Sequence, residues 1–344
     1  MNIIAKTEVI VNTDCDNLSK INEHSAEIGL KWSEKKKRAK IIADKMRKIG
    51  EYTRASRMEH CAEVINAGVC EHCGSMTVKY ANLCRDRFCP ICTWRLSMRR
   101  FANMYTIVQG LRCAYPEANW GFITLTAKNC KPEGLKDMLD EMFRVWNSIA
   151  SSYKFKERIA GWARSLEVTY NAKTNELHPH FHILVLFHEC KAPHMNYILY
   201  RWCQGMKRKY RTMYIAQDAQ QIFAWNDERV IGWKVDDNPE DDETVKAILE
   251  TYKYTVKDKE IGDMPLSTFR ATVEALKGRR LVAFGGSVKE YAKNCEMENI
   301  DDAGEDDETE IESRLTKCYR CGGTQIAEVV GKWTGSGYLW RRED

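Results

Sequence analysis

Three histidines fall within five residues at His178-Pro-His-Phe-His182, and the apolar run Ile183-Leu-Val-Leu-Phe187 follows them. Such a run reads as a β-strand, on which successive side chains point to opposite faces. His180 and His182 therefore face the same way, while Phe181 points into the opposite layer. Two imidazoles on one face form a ready chelate for a divalent metal. His178 shares their parity, but Pro179 interrupts the regular strand beside it, so His178 is an optional further ligand. Upstream, Ser165-Leu-Glu-Val-Thr-Tyr170 alternates as a strand should, and Asn171-Ala-Lys-Thr-Asn-Glu176 supplies turn residues. A turn centred near Lys173 and Thr174 sets Glu167 opposite His180, with Cβ atoms about 5 Å apart. Two imidazoles and a carboxylate suit Mn²⁺ or Mg²⁺ and leave coordination positions open for a phosphate oxygen.

A second stretch with chemical content is Ile248-Leu-Glu-Thr-Tyr-Lys-Tyr-Thr-Val-Lys257. On a helix, Glu250, Tyr254 and Lys257 share one face, and Tyr252 points away from it. A phenol with a pKa of about 10 attacks a phosphodiester only if its proton is taken or its charge is stabilised. Lys257 can stabilise the phenolate, and Glu250 can act as general base for a water. Tyr254 is thus the better nucleophile of the two tyrosines.

Cysteines cluster from Cys70 to Cys92, with C-x-x-C pairs at Cys70/Cys73 and Cys89/Cys92. This spacing predicts one tetrahedral structural Zn²⁺ held by Cys70, Cys73, Cys89 and Cys92. Cys84 is a fifth candidate that could replace Cys70. Cys318-Tyr-Arg-Cys321 is a lone pair, able to hold a second zinc only with ligands from elsewhere in the chain or from a partner chain.

The elements that must position these groups follow from pattern. Residues 31–68 read as helical, 93–113 as a helix with a basic face, 120–126 as a strand, and 133–152 as an amphipathic helix. Strands at 165–170 and 180–187 come next, then helices at 193–210 and 245–257 and a hairpin near Gly331 to Trp340. The short turn between the second and third strands demands an antiparallel pair, and so an α+β sheet rather than a doubly wound one. Four segments are expected. Residues 1–68 form a basic helical arm, and 69–113 a zinc module with a basic helix. Residues 114–295 form the domain carrying the histidines and tyrosine, and 296–344 an acidic linker with the C-x-x-C tail.

Net charge over the 344 residues is only +4, but it is unevenly spread. A basic run (Lys35, Lys36, Lys37, Arg38, Lys40, Lys45, Arg47, Lys48) contrasts with acidic stretches at 236–243 and 301–312, as in a nucleic-acid binder with solvated acidic loops. No run of about 18 consecutive apolar residues offers a membrane span. The first residues lack the order of a signal peptide, so a cytoplasmic protein is expected. Fourteen cysteines there argue for metal binding or burial rather than disulfides.

Taken together, these stretches resemble the rolling-circle replication initiators of small bacterial plasmids, within the HUH endonucleases. Phe122-Ile-Thr-Leu-Thr126, His178-Pro-His-Phe-His182 and Glu250-Thr-Tyr-Lys-Tyr254 followed by Lys257 occur in that family's order. The last resembles the motif of the subgroup with one tyrosine and an upstream glutamate. Cys84-Arg-Asp-Arg-Phe-Cys-Pro-Ile-Cys-Thr-Trp-Arg95 and Ala275-Leu-Lys-Gly-Arg-Arg-Leu-Val-Ala-Phe-Gly-Gly286 are similar to two further family segments. The resemblance implies a ferredoxin- or RRM-like fold with a central antiparallel sheet and flanking helices. It also implies a metal-dependent nick by Tyr254 at a double-strand origin, a 5′-phosphotyrosyl bond, and a free 3′-OH that primes synthesis. In that scheme Glu250 directs a water in the terminating cleavage. Origin DNA, as duplex and as single-stranded hairpin, is the implied partner, with a host helicase, polymerase and single-strand-binding protein. A transposase or conjugative relaxase shares the histidine motif but favours other tyrosine arrangements. A non-catalytic zinc-dependent DNA-binding regulator would leave the histidines and tyrosine idle.

Overall fold

The computed structural model describes residues 23–115, 119–188, 192–210, 258–295, 297, 317–318 and 321–342. In chain order the elements are α1 (Glu23–Lys48), α2 (Tyr52–Glu59), β1 (Val64–Cys70), β2 (Met76–Ala81), α3 (Pro90–Ala114), β3 (Asn119–Thr126), α4 (Leu135–Ser151) and α5 (Tyr153–Lys156). There follow β4 (Ile159–Asn171), β5 (Glu176–Phe187), α6 (Ala192–Tyr210), α7 (Asp258–Asp263), α8 (Leu266–Leu276), β6 (Val282–Gly285), α9 (Gly286–Asn294), β7 (Ile326–Trp333) and β8 (Tyr338–Arg342). Helices and antiparallel sheets are mixed, an α+β architecture. The chain divides into two units, one formed by Met1–Thr93 with Glu305–Asp344 and the other by Trp94–Gly304.

In the first unit α1 packs on α2 beside an antiparallel sheet of order β2-β1-β7-β8. The helical reading of residues 31–68 ends early here. Gly50, at φ 94°, closes α1, and the β-branched Val64, Ile65 and Val69 form a strand in place of a helix. The hairpin expected near Gly331 is β7-β8, and β7 pairs along the whole of β1, from Val64↔Lys332 to Cys70↔Ile326. The tail and the arm thus build one sheet. The buried stripe of α1 runs Trp32, Lys36, Ala39, Ala43, Met46, at helical spacing. Lys36, part of the basic run read as fitting a nucleic-acid binder, is fully buried in that stripe. Its Nζ donates to the carbonyls of Glu59 (2.7 Å) and Cys61 (2.6 Å), which offsets the loss of water. Burial pushes its ammonium below the ordinary lysine value.

In the second unit the sheet order is β3-β5-β4-β6, antiparallel throughout, with β5 and β4 at its centre. Phe181 packs edge-on against Phe143 of α4 and Trp202 of α6, on one face. On the opposite face, Leu184, Leu186, Ala163 and Phe284 form a core with Met104, Ile107, Val108 and Leu111 of α3 and Val288 of α9. The histidines share this second face and occupy its other end. Beyond β6 the chain reverses sharply into α9. Gly286 sits at φ 56°, and a Cβ there would lie 2.1 Å from the Ala160 carbonyl, so only glycine fits.

Candidate metal centres

The β4-β5 hairpin carries the first site. Its turn holds Asn175 at φ 47°, a conformation asparagine tolerates. Asn175 Oδ1 accepts from the hydroxyls of Tyr170 (3.1 Å) and Thr268 (2.9 Å), while Asn171 Oδ1 accepts the Lys173 N–H at 3.0 Å. A turn fixed this way sets the register, which places Glu167 opposite His180 and Ser165 opposite His182. On the other side of β5, Thr126 and Thr124 stand opposite the same two histidines.

Three buried ligand atoms converge there. Glu167 Oε2 lies 3.2 Å from His180 Nε2 and 2.9 Å from His182 Nε2. Each ring is oriented by its other nitrogen: His180 Nδ1 is 3.2 Å from the His178 carbonyl, and His182 Nδ1 is 3.2 Å from Thr124 Oγ1. Phe122 stacks on His182 at 5.6 Å between centroids. A carbonyl can only accept, so His180 Nδ1 donates to it, and Nε2 is the nitrogen turned to the Glu167 carboxylate. A carboxylate with two imidazole nitrogens closing on it is a place for positive charge. Burial alone would raise the Glu167 carboxyl, but hydrogen bonding and charge from His180 and His182 outweigh it and hold the group well below the usual carboxylate range. Octahedral bonds of about 2.1 Å put neighbouring ligand atoms about 3 Å apart, so the donor set fits Mg²⁺ or a similar cation. His178 stands outside this group; its Nδ1 lies 2.7 Å from Asn129 Oδ1.

The cysteines form two clusters where sequence spacing predicted one. Cys61, Cys84, Cys89 and Cys92 converge in one, and Cys70, Cys73, Cys318 and Cys321 in the other, each with sulfurs within 4.8 Å of one another. The set Cys70, Cys73, Cys89 and Cys92 is therefore corrected. Cys61 precedes β1 and Cys70 ends it, so the clusters sit at opposite ends of a seven-residue strand, a length of about 20 Å that no single ion spans. In the first cluster the Sγ atoms of Cys61 and Cys92, Cys84 and Cys92, and Cys61 and Cys89 are 3.5, 3.6 and 3.6 Å apart. The N–H groups of Cys84 and Arg85 point at Cys61 Sγ (3.4 Å) and Cys92 Sγ (3.2 Å). Around it, Arg54 makes a bidentate pair with Asp86 at 2.7 and 3.1 Å, and Arg57 donates to the Cys84 carbonyl at 2.6 Å. Cys84 was the alternative ligand in the sequence. Cys61 was missed, because a single cysteine before a strand carries no spacing signal. Thr124 was also missed as an orienting partner, although it shares strand parity with Thr126.

Tyr254, Glu250 and Lys257 lie outside the described residues. Among the described residues no helix is long and apolar enough to cross a membrane.

The family model described as "Replication protein" matches residues 75–335. A "Protein rep" of Bacillus amyloliquefaciens is 30% identical over 309 residues, covering 82% of this chain and 86% of that protein. A "Protein rep" of a Bacillus species is 29% identical, with 77% and 87% covered. Another from Streptococcus pneumoniae serotype 2 is 25% identical, with 78% and 81% covered. No solved structure matches the chain. The extent of these matches shows that the chain belongs to the replication protein family, the rolling-circle replication initiators of plasmids.

Proposed function

We propose that this plasmid replication initiator binds the double-strand origin and nicks one strand through Tyr254. The phenolate oxygen bonds to phosphorus as the bond to the 3′ oxygen breaks. The products are a 5′-phosphotyrosyl link and a 3′-OH that primes synthesis. A divalent cation held by Glu167, His180 and His182 would supply positive charge to a non-bridging phosphate oxygen. Lys257 stabilises the phenolate. Glu250 takes a proton from water in the terminating cleavage, releasing the enzyme by hydrolysis. A structural Zn²⁺ at Cys61, Cys84, Cys89 and Cys92 stiffens the base of the basic helix α3.

The observation carrying this reading is the convergence of Glu167 Oε2 with two histidine Nε2 atoms, both rings being oriented from behind. Support for Tyr254 comes from α7. Glu260 Oε2 accepts the Tyr170 N–H at 2.8 Å, and Tyr170 is three residues along β4 from Glu167. The chain thus meets β4 six residues after Tyr254. The test is incubation with single-stranded origin DNA and Mn²⁺, then denaturing electrophoresis. A covalent protein–DNA band is expected from the native protein and not from His182→Ala. Binding with no covalent band in the native protein would mark a regulator instead.

A further inference from the structure

Cys70-Glu-His-Cys73-Gly74 and Cys318-Tyr-Arg-Cys321-Gly322 repeat one pattern, C-x-x-C-G. Both glycines adopt the left-handed region, at φ 67° and 71°. In both, the glycine N–H donates back to the carbonyl of the first cysteine, at 2.7 and 2.9 Å. Two matched turns therefore present their sulfurs to each other. Cys70 Sγ is 3.6 Å from Cys321 Sγ, and Cys73 Sγ is 3.5 Å from Cys318 Sγ, across 251 and 245 residues of sequence. A disulfide needs about 2.05 Å, whereas four sulfurs bound to zinc at about 2.3 Å sit about 3.8 Å apart. The hydroxyl of Ser75, which is buried, lies 3.1 Å from Cys73 Sγ and 3.0 Å from Cys318 Sγ, as a donor to thiolate does.

We propose that Cys70, Cys73, Cys318 and Cys321 bind a second structural Zn²⁺ that fastens the C-terminal hairpin to β1. Four protein sulfurs leave no open coordination position, so the ion holds structure and takes no substrate. It sits where the β1-β7 pairing ends, next to the hydrogen bond from Glu71 N–H to the Gln325 carbonyl at 3.0 Å. The inference does not depend on the nicking chemistry.

Elemental analysis of full-length protein purified without chelator should find two zinc ions per chain, one for each four-cysteine cluster. Cys318→Ser/Cys321→Ser should retain one. In that variant, amides of β7 and β8 should exchange hydrogen at least tenfold faster, with β3, β4 and β5 unchanged. A readout on the native protein does not depend on how the variant folds. Cys321 is exposed, as are Cys113 and Cys295. Iodoacetamide and peptide mapping should find Cys113 and Cys295 modified and Cys321 spared, until a strong zinc chelator exposes it together with Cys318. A zinc content unchanged in Cys318→Ser/Cys321→Ser, iron in place of zinc, or Cys321 alkylated as fast as Cys113 without chelator would overturn the proposal.

Discussion

Glu167 on β4 faces His180 on β5 across a fixed register, with its Oε2 3.2 Å from His180 Nε2. Replacing Glu167 with Gln keeps the shape and removes the charge. Metal affinity should fall by roughly 10- to 100-fold, as for other losses of a ligand's charge or support. Nicking should then recover in part at high Mn²⁺, while His182→Ala, which deletes a ligand, should not be rescued. Titrating the covalent adduct against Mn²⁺ checks this, and duplex origin binding by gel shift should survive in both variants. Parallel loss of DNA binding would show that the site is not solely catalytic.

Thr124 holds the His182 ring from behind, Oγ1 to Nδ1 at 3.2 Å. Thr124→Val retains shape and β-propensity but removes that partner. The expected result is a Mn²⁺ requirement raised roughly tenfold at unchanged melting temperature. An unchanged Mn²⁺ profile would mean that Phe122 stacking and burial alone orient the ring.

Tyr252 and Tyr254 would lie about 200° apart around a helix, so only one can face the metal. Tyr254→Phe should fold and bind origin DNA yet give no covalent adduct, and Tyr252→Phe should retain it. Glu250→Ala should still nick but accumulate covalent complexes or over-long products. Mass spectrometry of the nucleotide-bearing peptide decides; an adduct on Tyr252 or outside 248–257 removes Tyr254 from the role.

Lys36 places one buried ammonium on the carbonyls of Glu59 and Cys61, beside the Cys61 cluster. Lys36→Met fills similar volume but strands both carbonyls, each costing about 1–3 kcal/mol when left without a donor. Thermal melting should drop clearly, and zinc should be lost to chelator sooner. A variant as stable as the native protein would show that water replaces the ammonium there.

Gly286→Ala is expected to destabilise the second unit by more than about 1 kcal/mol, since a left-handed backbone and a carbonyl contact at 2.1 Å both oppose the methyl. Gly335 also has positive φ, at 101°, but nothing lies within 4 Å of its Cβ position, so Gly335→Ala should cost less. Denaturant unfolding of both compares them directly.

The sequence by itself determined the hairpin that carries Glu167, His180 and His182. Strand periodicity is strictly two, so His180 and His182 had to share a face, and a turn centred near Lys173 and Thr174 would set Glu167 beside them, the register the structure has. It also determined the antiparallel α+β sheet, because the connection from β4 to β5 is too short for a crossover. Local geometry decides such features, and the sequence shows local geometry directly. The cysteines were different. Eight of them sort into two clusters, and the spacing of Cys70/Cys73 and Cys89/Cys92 imitated a single four-ligand site. Only the tertiary structure separated them, because β1 is a rigid spacer of about 20 Å between Cys61 and Cys70. Pairing of β7 with β1 then brought in Cys318 and Cys321 from 245 or more residues away. The burial of Lys36 was decided in the same way, for its carbonyl partners lie 23 and 25 residues along the chain and meet it only after α1 has packed on α2.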